Sequence, residues 1–260
     1  FLFPDSFGLY SLTITIAFVF LLFTDLGMNQ VLTKYLSSNI KNRGKVIAHF
    51  NYILKIKFFL SLIVSLVLLI LAYPLSFWVY KQSQLFLPLI FSSIYIFSFT
   101  FIDFFSSFFY AIKKVKYIIV KEIVFNVIKT TMIVLVFLFL SSLYYVFGIF
   151  IGLILTNIII ILFLVVWINR FIPIFKETKE HIEKKEINKF FKYLAVSSIS
   201  GILHSHIDIL ILGLFVSLAY VGYYNIAVLM VLGIASLFLY LRLVLLSAFA
   251  NLNDRQLSLA

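Results

Sequence analysis

Seven stretches of this 260-residue chain are apolar for about 20 residues or more: 9–32, 51–73, 86–111, 118–141, 143–168, 191–217 and 219–248. At about 1.5 Å of rise per residue, each is long enough as a helix to cross about 30 Å of hydrocarbon. They are too long for strands, which run to about eight residues. Inside lipid the backbone has no water to bond to, so helices that satisfy their own amides are what such stretches can form. The expected fold is all-α, a polytopic transmembrane helical bundle.

Charge supports this. Only 12% of residues are charged, while the net charge is +11; a globular domain carries about a quarter charged residues. Of the 21 Lys and Arg, 19 fall in or beside alternate connections, and the remaining two are Lys81 and Lys129. A one-sided distribution of this kind follows the positive-inside rule. It places the first residues outside and Ala260 in the cytoplasm, and it accounts for the basicity without nucleic acid. With no cysteine there is neither a disulfide framework nor a thiolate metal site. No glycine-rich phosphate loop appears, which argues against direct use of ATP, and no cofactor is expected.

"FGLYSLTITIAFVFLLF" (7–23) aligns with "VGYYNIAVLMVLGIASLF" (221–238), matching Gly8, Tyr10, Ser11 and Leu12 to Gly222, Tyr224, Asn225 and Ile226. The two segments stand six spans apart, an even offset that keeps their orientation. The expected relation is therefore a parallel repeat about an axis along the membrane normal. This predicts two lobes, with 1–168 in the first, 169–190 as a cytoplasmic linker and 191–260 opening the second. The linker, "NRFIPIFKETKEHIEKKEINKF", is expected to be partly amphipathic, with Glu180 and Lys184 spaced i,i+4. A chain opening on Phe1 is expected to be cut from a longer one, with one span missing before it and about four after Ala260.

The segment "SFGLYSLTITIAFVFLLFTDLGMNQVLTKYLS", with Thr24-Asp25-Leu26-Gly27, resembles the second span of the polysaccharide biosynthesis flippases, whose superfamily includes the MATE drug exporters. "HSHIDILILGLFVSLAYVGYYNIAVLM" is similar to that family's seventh and eighth spans, with Asp208, Gly213, Gly222 and Tyr224 at the family's positions. The resemblance implies a two-lobed protein of twelve to fourteen spans in the cytoplasmic membrane of a bacterium or archaeon. It also implies a lipid-linked oligosaccharide as substrate, and it implies transport rather than enzymatic activity.

Ionisable groups at bilayer depth are costly and mark candidate sites. Four spans carry polar residues at helical spacing, each forming one stripe: Ser11, Thr15, Asp25 and Asn29; Ser93, Thr100, Asp103, Ser107 and Tyr110; Glu122, Asn126, Lys129 and Thr130; Ser197, Gly201, His204 and Asp208. Stripes of this kind are expected to face a shared cavity, because lipid cannot satisfy them. The pathway candidates are Asp25, Asp103, Glu122, Asn126, Lys129, His204 and Asp208. Similar depth along their helices predicts an Asp103–Lys129 ion pair, whose alternative role is gluing two neighbouring spans. His204 and Asp208 can meet as i and i+4, whereas His206 points elsewhere, which disfavours a metal. The pair reads either as a proton-responsive device or as polar lining. Gly148, Gly152 and Thr156 read as a close-packing stripe. Asp25-Leu26-Gly27 marks a bend, and Pro74 and Pro88 flank a turn. Arg242 is expected to snorkel to the cytoplasmic edge.

The leading function is a flippase for an undecaprenyl-diphosphate-type oligosaccharide. Lys129 would supply countercharge and a cation, H+ or Na+, is a possible coupling partner. A cation-coupled drug or small-molecule exporter is the alternative. A glycan polymerase or ligase is disfavoured because the outer connections hold only Asp5 and Lys81 as charges, and a retinal pump because 219–248 has no lysine.

Overall fold

The computed structural model describes residues 2–141, 144–173, 180, 182–202 and 207–236, except for the side chains of 199–202. Among these residues the structure is helical and contains no strand. The helices are α1 (Pro4–Asp25), α2 (Met28–Ser38), α3 (Arg43–Pro74), α4 (Phe86–Ala111), α5 (Val115–Phe139), α6 (Tyr145–Asn169), α7 (Lys184–Ile202) and α8 (Ile207–Phe215). A ninth, α9, covers Leu218–Ser236.

Local sequence sets the ends. Pro4 occupies the first turn of α1, where a missing N–H costs nothing. Leu26 (φ 42°) and Gly27 (φ 82°) are both left-handed and separate α1 from α2, so the bend expected at Asp25-Leu26-Gly27 is present. Asn42 caps α3, its side-chain oxygen accepting from the Lys45 amide at 3.0 Å. Past Pro74 the chain continues as a π turn, Leu75–Val79, and Pro88 sits in the first turn of α4.

Among the described residues six helical stretches are long and apolar enough to cross a membrane: Pro4–Ser38, Arg43–Val79, Ser83–Ala111, Val115–Phe139, Tyr145–Asn169 and Leu218–Ser236. Of the expected span 191–217 the structure describes α7, which begins in the charged linker at Lys184, and α8; residues 203–206 lie outside the described residues. Glu180 precedes α7, so the anticipated i,i+4 pair with Lys184 does not lie on one helix.

α4 is the hub, packed against α1, α2, α3, α5 and α6. Towards the lysine-rich connections (the basic end), Phe50, Phe104, Phe108 and Phe109 form a buried aromatic core with Leu32 and Leu36. Towards the opposite, far end, Leu12, Ile16, Leu68, Leu89, Ile96 and Phe150 form a second. The small-residue stripe of α6 packs closely, as expected. A Cβ on Gly148 would stand 2.3 Å from Leu140 Cδ1, one on Gly152 would stand 3.3 Å from Met132 Cβ, and Thr156 turns its hydroxyl back onto the Gly152 carbonyl at 2.8 Å. At the far end Tyr80 is buried near Gly213, and burial pushes its phenol up to about 12.

Candidate functional site

Between α1, α4, α5, α6, α8 and α9 lies a cavity of about 520 Å³. Its walls are largely apolar, with aromatic faces from Phe7, Tyr10 and Phe18 of α1, Tyr95 and Phe99 of α4, and Phe125 of α5. Two charges face into it. Lys129 lies 5.3 Å from the Phe125 ring centroid, a cation–π distance. Asp208 accepts a 2.8 Å hydrogen bond from the Tyr224 hydroxyl. Asn225 also lines the cavity and donates to Ser11 Oγ at 2.7 Å, while Ser11 donates to the Phe7 carbonyl.

The two segments of the repeat meet beside this cavity. A Cβ on Gly8 would stand 1.7 Å from the Leu218 carbonyl oxygen, and one on Gly222 would stand 2.4 Å from the Pro4 oxygen. Only glycine at both positions lets the backbones of α1 and α9 approach this closely.

One helical turn towards the basic end is a layer of charges. Asp103 follows Phe99 by four residues, and Lys121 precedes Phe125 by four, about 6 Å along each helix. Lys57 is 1% exposed and donates to Asp25 Oδ1 at 2.7 Å, tying α3 to the α1–α2 break. Lys121, also buried, pairs with its neighbour Glu122. Thr24 and Thr100 share a buried 2.9 Å hydrogen bond that fixes the end of α1 to α4.

The structure sorts the candidates. Asp25, Asp103 and Glu122 belong to the charged layer, and Lys129 and Asp208 to the cavity. Asn126 is exposed and bonds back to the Glu122 carbonyl at 2.9 Å. His204, its pairing with Asp208, His206 and Arg242 lie outside the described residues. The expected Asp103–Lys129 ion pair is absent: among the described residues the ion pairs are Lys57–Asp25 and Lys121–Glu122. α4 and α5 run in opposite directions from the tight turn at 112–114. Lys121, six residues past the start of α5, therefore matches the depth of Asp103, whereas Lys129 lies two turns further on.

Lys57 and Lys121 were not anticipated as site residues because topology alone accounted for them. A signal existed. Lys57, Ser61 and Ser65 step by four within the stretch 51–73, and all three are buried. Ser65 then crosses to the Ser93 carbonyl of α4 at 2.5 Å.

Among the described residues no three His, Cys, Asp or Glu side chains converge as a metal site. A sequence model of the polysaccharide biosynthesis protein family matches residues 1–251. No curated protein and no solved structure matches the chain.

Proposed function

We propose, from the premise that this chain belongs to the polysaccharide biosynthesis protein family, that it is a flippase for an undecaprenyl-diphosphate-type oligosaccharide in a cytoplasmic membrane. The observation that carries this reading is Lys129 in an aromatic-faced cavity, with no carboxylate partner among the described residues. Aromatic faces suit the C–H faces of sugars, and a desolvated anion needs a cation of this kind.

Movement is by alternating access. The close approach of α1 and α9 at Gly8 and Gly222 holds the far end together, and rocking one repeat against the other parts it. The basic end faces the cytoplasm, by the positive-inside rule. The protein positions and moves its substrate and makes or breaks no covalent bond. The carboxylates of the charged layer favour a second reading, cation-coupled export of a small molecule.

The test is translocation of a labelled lipid-linked oligosaccharide in liposomes holding the purified protein, read by accessibility to a membrane-impermeant lectin. Protein-dependent transfer between leaflets is expected. Export of small cationic dyes with no movement of the glycolipid would favour the second reading and overturn the first.

A further inference from the structure

The charged layer does not balance. It holds three carboxylates, Asp25, Asp103 and Glu122, against two ammonium groups, Lys57 and Lys121, and both ammonium groups are already engaged, with Asp25 and with Glu122. The charged groups acting on Asp103 are Lys121, Lys57, Asp25 and Glu122. Among the described residues no other charged group acts on it. α6 carries no Asp, Glu, Lys, Arg or His, and Lys34, the one charged residue of α2, lies 3.7 Å over the Phe190 ring in a different pocket. One negative charge is left over at bilayer depth.

Asp103 is also the single exposed residue within the otherwise buried segment 101–109. A hard metal cation would need several oxygen ligands, and the nearest groups here include two ammonium ions. An uncompensated carboxylate in such surroundings neutralises by taking up a proton.

We infer that Asp103 is a proton-binding site whose protonation selects between two sets of ion pairs. With Asp103 neutral, Lys57 stays on Asp25 and Lys121 on Glu122, the arrangement observed. With Asp103 ionised, three carboxylates compete for two ammonium groups, and the lysines are drawn towards α4. The α1–α2 break is then less firmly held, since Asp25 no longer has Lys57 to itself. This site rests on the charge count and on geometry, so it stands or falls separately from the identity of the substrate.

The test is pH-difference infrared spectroscopy on the protein in liposomes, without substrate. A protonated carboxylic C=O band that changes with pH is expected. It should vanish in Asp103→Asn, persist at a shifted frequency in Asp103→Glu, and survive Asp208→Asn. Because Asp103→Glu keeps a carboxyl group, a shifted band there separates loss of the group from loss of the fold. No titrating band in the natural protein, or its survival in Asp103→Asn, would overturn the assignment, whatever the glycolipid assay shows.

Discussion

Gly8 and Gly222 pack backbone against backbone: a Cβ on Gly222 would stand 3.1 Å from the Gly8 nitrogen, and one on Gly8 would stand 3.0 Å from the Gly222 nitrogen. The two are matched positions of the internal repeat. Another matched pair, Ser11 and Asn225, are hydrogen-bonded to each other at 2.7 Å. α1 and α9 therefore meet through matched positions of the two segments, beside the cavity.

Because the chain has no cysteine, Ser11→Cys with Asn225→Cys gives a clean probe of this contact. An oxidant is expected to cross-link the pair, stop translocation, and release it again on reduction. A cross-linked protein that transports at the normal rate would show that α1 and α9 do not separate.

Gly8→Val meets main-chain atoms rather than a flexible side-chain tip. Overpacking of this kind costs about 1–3 kcal/mol. Thermal unfolding in detergent should show the loss, and Gly233→Val, with nothing within 4 Å of its added Cβ, should not.

Lys129→Gln removes the cavity's cation without breaking an ion pair among the described residues, so protein levels should hold. A hydrogen bond to a charged group is worth about 1.5–3 kcal/mol. Translocation should therefore fall about tenfold or more, and Lys129→Arg should recover part of it. Normal rates in Lys129→Gln would remove the residue from the pathway.

Lys57→Met alone leaves Asp25, which is 35% exposed, with the Asn29 amide at 3.2 Å as its hydrogen-bond donor, whereas Asp25→Asn with Lys57→Met removes both charges. Breaking one side of a fully buried pair costs about 3–5 kcal/mol and less where one partner reaches solvent, while replacing both is often neutral. The single variant should accumulate poorly in membranes and the double variant better. Equal losses would mean that the pair contributes nothing as a pair.

Tyr80 gives the fold an alkaline limit. Its phenol titrates at about 12 against an ordinary 10.0. The unfolded chain therefore loses this proton first, and the stability contributed by neutral Tyr80 is complete below pH 10 and is lost as pH rises towards 12. Tyr80→Phe should move the midpoint of alkaline unfolding upward. An unchanged midpoint would place the sensitive group elsewhere.

Much of the architecture was legible because lipid is a simple solvent. Length and apolarity alone imply helices, and the spacing of Gly148, Gly152 and Thr156 implied the α5–α6 contact that is present. Periodicity placed part of the polar stripes inward: Ser11, Thr15, Ser93, Thr100 and Ser107 are buried, whereas Tyr110, Glu122, Asn126 and Thr130 are exposed.

Pairing was not legible. Asp103, Lys121 and Lys129 share two antiparallel helices, and a register difference of two turns decides which lysine stands at the depth of Asp103. The sequence by itself determined that this is a bundle of membrane-crossing helices with hydrophilic seams, because every backbone amide in hydrocarbon must bond within its own helix. Only the tertiary structure decided that Lys57 and Lys121 are buried partners rather than interfacial charges, and that Gly8 meets Gly222. Those facts depend on how helices abut in three dimensions: Lys57 and Asp25 are 32 positions apart, Gly8 and Gly222 lie on helices at opposite ends of the described chain, and Lys121 is buried by packing that no local periodicity encodes.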